Sequence, residues 1–140
     1  MMKRHIIIAS HRTFSAGLFD ALKFFAGNEI DVDVITAYMK NEKVDQDFQR
    51  LIKKYKSDDE VIILTDLLAG SVNQQAYLYI KRPHTHVIAG INLPLAMAFV
   101  MEPQKSYLTK EKIENLIQDA RNQIVYVNAM DLNGKDDEDE

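Results

Sequence analysis

The chain has 140 residues, a formal charge of −4, and no cysteine. That length fits one domain able to withdraw about 70% of its unfolded surface from water, and the lack of cysteine excludes disulfides and thiolate metal sites. The last eight residues, with Lys135 among Asp136, Asp137, Glu138, Asp139 and Glu140, carry −4 by themselves, so the body is near neutral and lacks the basic footprint of a nucleic-acid binder.

The basic start, Met1-Met2-Lys3-Arg4-His5, is followed by an apolar run that meets His11 and Arg12 too soon for a signal-peptide core. No segment approaches the roughly twenty apolar residues of a membrane span, and a soluble, cytoplasmic chain is expected. Four short runs rich in branched residues, 5–10, 31–36, 61–65 and 86–90, predict strands. Between the first two, Phe14, Leu18, Ala21, Leu22 and Phe25 fall on one face of a 3.6-residue period, with Thr13 as an N-cap and Gly27 as a stop. Val44, Phe48, Leu51, Ile52 and Tyr55 repeat that spacing for a second helix. A third is expected from Asn73 to about Lys81, ended by Arg82-Pro83, because a residue before proline disfavours the α region. Short helices follow from Pro94 to about Met101 and from Glu111 to Asn122, and Ile124-Val125-Tyr126-Val127 reads as a late edge strand.

Strands that are apolar throughout, rather than alternating, have both faces covered. Together with the strand–helix alternation, this predicts a doubly wound, mainly parallel three-layer α/β/α domain over 1–132, with an acidic, disordered tail at 133–140.

Parallel strands end on one edge, where ligand crevices of open α/β sheets lie. Three segments meet there: His11-Arg12, Asp66 through Ser71, and Gly90 through Pro94. A histidine that attacks an electrophile with one ring nitrogen needs an acceptor on the other, and Asp66 is placed to supply it. Leu68-Ala69-Gly70-Ser71, entering a helix, offers backbone N–H donors for a phosphoryl group. Plainer roles exist for each residue. His11 could cap a backbone group, Asp66 could form a turn, Arg12 could be an ordinary surface cation, and Asn92 with Pro94 could shape a helix start. His84-Thr85-His86 has the spacing of two metal ligands but no third ligand nearby, and His5 lies at the far end of its strand, where a structural role is expected.

Three stretches, Ile8-Ala9-Ser10-His11 with Ala16-Gly17-Leu18, Val61 through Asp66 with Gly70-Ser71, and Ala89 through Pro94, resemble the mannose-type IIA domains of the bacterial phosphoenolpyruvate-dependent sugar phosphotransferase system. The resemblance spans about residues 5 to 130. It implies that His11 takes a phosphoryl group from the phosphocarrier HPr and passes it to a IIB domain, with Asp66 orienting the ring. Leu68, Gly70, Ser71, Asn92 and Arg12 would then surround the phosphoryl group. It further implies a homodimer formed by exchange of the 124–127 strand, an indirect membrane association through the IIC and IID transporter, and no metal or organic cofactor. The chain departs from the family pattern at Arg12, where glycine is usual, at Ala69, where a double glycine is usual, at Val72, where proline is usual, and at Gln74, where asparagine is common. Three other readings compete: the phosphoryl-donor subunit of a dihydroxyacetone kinase, a receiver-like module phosphorylated on Asp66, and a binding module without transfer activity.

Overall fold

A computed structural model describes residues 2–40 and 43–130. Strands β1 (Arg4–His11), β2 (Val32–Ala37), β3 (Glu60–Thr65) and β4 (Thr85–Ala89) form one parallel sheet in the order β2-β1-β3-β4. Helices α1 (Phe14–Ala26), α2 (Val44–Lys54), α3 (Ser71–Tyr77), α4 (Leu93–Val100) and α5 (Lys110–Arg121) cover its two faces. None of the helices in the described residues is long and apolar enough to cross a membrane.

Alternation within β1 divides the core. Ile6 and Ile8 join Ile62, Leu64 and Ile88 against α1, α4 and α5, whereas Ile7 and Ala9 join Ile35, Val61 and Ile63 against α2 and α3. Both faces of the central strands are therefore dry, and this is why β1 and β3 read as unbroken apolar runs. The register places Ile8 beside Leu64 and Ala9 beside Thr65, so both strands end on one edge of the sheet, with His11 the last residue of β1 and Asp66 the first past β3.

At the opposite edge, charge is buried with its partners. The Arg4 guanidinium donates to Glu60 at 2.6 Å and to the carbonyls of Glu102, Pro103 and Ser106, while Glu60 also accepts from the Leu108 N–H. His5 bonds Asp59 at 2.7 Å and stacks on Tyr55 with ring centroids 3.9 Å apart, the structural role expected of it. Burial works to raise the Asp59 carboxyl, yet the bonds from His5 and from the backbone N–H groups of Lys3 and Lys56 outweigh it and hold it below the ordinary range.

Three expectations are corrected. The Thr13 side chain makes no cap at the start of α1; instead the Ser10 hydroxyl, at the end of β1, accepts the Ser15 N–H at 2.7 Å, so the cap comes from six residues of chain folding back on itself. Helix α3 begins at Ser71 and ends at Tyr77, and the chain then tightens into turns with Tyr79 bonding Ala76 and Arg82 bonding Tyr79. The Asn92 side chain caps α4, accepting from the Leu95 N–H at 3.0 Å. Residues 124–127, expected as a late edge strand exchanged between subunits, do not join the sheet of their own chain: residues 124–126 carry no regular structure and Val127–Ala129 form a single 3-10 turn. Among the described residues this apolar segment has no strand to pair with in its own chain, and Ile124 and Tyr126 are 76% and 72% exposed. The acidic tail lies outside the described residues.

Candidate active site

Asp66 holds His11 twice. One carboxylate oxygen accepts the His11 backbone N–H at 2.8 Å and its ring Nδ1 at 2.9 Å, and the other accepts the Leu67 N–H at 3.0 Å. A carboxylate only accepts, so Nδ1 carries the ring proton and Nε2 presents its lone pair. Partial burial pushes the Asp66 carboxyl upward, but the bonds from the His11 backbone and ring prevail and hold it below the usual carboxylate range. Asp66 is therefore charged beside the imidazole at neutral pH.

Gly70 leaves the space that the ring needs. A Cβ built there would stand 3.0 Å from His11 Cε1 and 3.3 Å from Leu67 Cβ. Its N–H closes a turn onto the Leu67 carbonyl at 3.2 Å, so Gly70 contributes clearance rather than the free donor expected of it. The loop between β3 and α3 is braced by Asn73, which accepts from the Thr65 hydroxyl and donates to the Leu68 carbonyl, both at 2.7 Å.

The Ser71 hydroxyl lies 2.5 Å from the Tyr38 hydroxyl, and the Tyr38 ring stacks on His11 with centroids 5.4 Å apart at 26°. Arg12 stands next to His11 on left-handed backbone, φ 57°, and its guanidinium donates to the Tyr38 carbonyl at 2.9 Å. Glycine adopts that φ without penalty, which gives a physical reason for a glycine at this position; Arg12 instead ties its side chain across to the end of β2. Tyr38 and Asn73 were not among the expected site residues. Tyr38 could have been found, because β2 is also parallel and its end lies on the same edge as His11.

Two expected members face a groove that His11 does not line. Leu68 and Asn92 line a groove of about 390 Å³ along β4, with Gly90, Leu95 and Ile124, and neither His11 nor Asp66 lines it. His84 and His86 are also split. His84 stacks on Tyr107 at 3.5 Å, and His86 Nε2 lies 4.0 Å from Glu60.

Known proteins share this architecture. A family model described as the PTS system fructose IIA component, EIIA-man, matches residues 5–118. The sorbose-specific EIIA component of Klebsiella pneumoniae is 29% identical over 100 residues, which are 69% of this chain and 72% of that one. A crystal structure from the same species, assigned to a phosphoenolpyruvate-dependent sugar phosphotransferase system permease, superposes with a TM-score of 0.84 at 32% identity, covering 91% of this chain and 93% of its own. A mannose/sorbose-specific IIA subunit from Enterococcus faecalis shares the fold at 19% identity, with a TM-score of 0.79 and coverage of 94% and 99%. With the family model spanning most of the chain and the same sheet and helices recurring in these structures, the protein belongs to the EIIA-man family of phosphotransferase-system IIA components.

Proposed function

We propose that this chain is the phosphoryl carrier of a sugar phosphotransferase system, accepting phosphate from HPr on His11 and passing it to a IIB domain. The observation that carries this reading is the His11–Asp66 pair: Nδ1 is held at 2.9 Å by a charged carboxylate, leaving Nε2 as the nucleophile. In the transfer, the Nε2 lone pair forms a new bond to phosphorus while the bond from phosphorus to the donor's ring nitrogen breaks, its electron pair staying on the donor. The positive charge that develops on the His11 ring is balanced by Asp66. The reverse exchange onto a IIB acceptor completes the relay, and no metal or organic cofactor takes part. Ser71, which meets the hydroxyl of the Tyr38 stacked on His11, and the Arg12 guanidinium beside it are the side chains assigned to the phosphoryl oxygens.

Both Asp66 oxygens are engaged, one by two donors from His11 and the other by Leu67 N–H. That weighs against Asp66 as the phosphorylated residue of a receiver-like module. The relay reading places the protein in the cytoplasm, working at the membrane through a IIC and IID transporter. It also includes a homodimer in which residues 124–127 add to a neighbour's sheet. In support, these residues are apolar and exposed, and β4 pairs with β3 on one side only.

Incubation with phosphoenolpyruvate, the general first enzyme of the system and HPr, followed by intact-mass measurement, tests the relay. One phosphoryl unit should appear on the wild type and none on His11→Ala. A label on His11→Ala that hydroxylamine removes would transfer the chemistry to an aspartate and overturn the reading.

A further inference from the structure

We propose that Tyr38, at the tip of β2, is a positioning residue for phosphoryl transfer: its ring fixes the plane of the His11 imidazole and its hydroxyl fixes the Ser71 side chain beside it. The proposal rests on the phosphoryl-carrier reading.

Asp66 alone is an incomplete hold. With the ring tethered at Cβ and bonded at Nδ1, the remaining freedom is a swing about the Cβ–Cγ bond within the angular tolerance of the hydrogen bond, and that swing shifts the direction of the Nε2 lone pair. In-line transfer requires that lone pair to point at phosphorus. A contact on the ring face removes the swing, and the Tyr38 ring supplies it at 5.4 Å and 26°. Because the lone pair lies in the imidazole plane, a neighbour stacked on the face does not obstruct it.

Tyr38 is itself tightly determined. It has left-handed backbone, φ 66°, directly across from Arg12 at φ 57°. Non-glycine residues enter this region at a cost, and such residues gather at functional sites, where surrounding contacts hold them. Here the holding contacts are visible. The Arg12 N–H donates to the Ala37 carbonyl at 2.7 Å, the Arg12 guanidinium donates to the Tyr38 carbonyl, and the Tyr38 hydroxyl meets Ser71 Oγ. The tips of β1, β2 and α3 are thereby linked around one imidazole.

The test compares wild type, Tyr38→Phe and Tyr38→Ala with two donors: phospho-HPr, and phosphoramidate, a small donor with no docking face. Thermal melts establish that each variant is folded. With both donors, Tyr38→Ala should accept phosphate about tenfold more slowly, the loss expected for an aromatic stack. Tyr38→Phe, which keeps the ring, should recover part of the rate. The 15N signals of His11 should report a less uniform ring environment in Tyr38→Ala. An alanine variant within twofold of wild type with phosphoramidate would overturn the proposal, including when it is slow with phospho-HPr alone, since that pattern is a docking effect. If wild type is labelled by phosphoramidate but not by phospho-HPr, and the variants keep the expected order, the relay reading falls while the role of Tyr38 stands. If neither donor labels wild type, both fall.

Discussion

Gly70→Ala is the sharpest perturbation of the site. Gly70 has φ −76° and ψ 158°, a conformation open to any residue, so alanine brings no backbone penalty. In the unfolded chain it removes freedom, a gain of about 0.4–1 kcal/mol, and as a poorer N-cap it loses about as much. Global stability should therefore stay within about 1 kcal/mol of wild type. The new methyl, however, would stand 3.0 Å from His11 Cε1. Carbon atoms rest at about 3.5–4.0 Å, so the imidazole must retreat by about 0.5 Å. Asp66 resists that movement at Nδ1, and the ring tilts instead. A misplacement of about 1 Å costs on the order of a hundredfold in a well-oriented reaction, so half of it should slow phosphorylation of His11 about tenfold. Intact-mass time courses with phospho-HPr, paired with urea unfolding, measure both quantities. Phosphorylation at the wild-type rate in a normally stable Gly70→Ala protein would refute the claim that this glycine is there to seat the ring.

Asp66→Ala leaves the His11 N–H, its ring N–H and the Leu67 N–H without their acceptor; a stability loss of about 1–3 kcal/mol in urea and a 10–100-fold slower phosphorylation are expected, with Asp66→Asn milder in stability. Arg12→Gly relieves left-handed backbone worth about 1–2 kcal/mol and gives up one exposed hydrogen bond, so unfolding should show unchanged or slightly higher stability; a large loss would mean that the tie to Tyr38 does more than hold a loop. Acid should destabilise the protein in two stages. Burial is the main influence holding His86 below its ordinary value, aided by His84 and opposed by Glu60. The unfolded chain therefore takes up that proton first, and stability begins to decline below about pH 6.5. Asp59 and Asp66 are depressed in the fold, so what they contribute is present above about pH 4 and is lost as pH falls through their lower folded values. Urea midpoints across pH should flatten near pH 6 in His86→Gln and below pH 4 in Asp59→Asn; a wild-type profile level from pH 7 to 3.5 would contradict both assignments.

The pairing of His11 with Asp66 was legible in the sequence because it needs only neighbouring parallel strands that end on one edge, and the apolar runs of β1 and β3 announce both. The capping of α1 was not legible: Ser10 reaches Ser15 only once the chain has turned at Arg12 and Thr13, and a local rule picks the adjacent threonine. Asn92 shows the converse. Its place before Pro94 already suited a helix cap, and that local role took its side-chain oxygen away from the site. Tyr38 escaped notice because the β2 tip carries no motif, although the rule that selected the ends of β1, β3 and β4 applies equally there. The segment 124–127 has the composition of a strand, but composition cannot supply a neighbour, and one chain offers it none among the described residues.

The two histidines of β1 are each joined to an aspartate, but through opposite nitrogens: His5 through Nε2 and His11 through Nδ1. Their neutral rings are thus opposite tautomers on one strand. Phosphate on His11 would be the Nε2 isomer, whereas His5 could be modified only at Nδ1, inside the fold. The two isomers differ in hydrolysis rate and in phosphorus resonance, so the chemical identity of the adduct reports which histidine received it, without a single mutation.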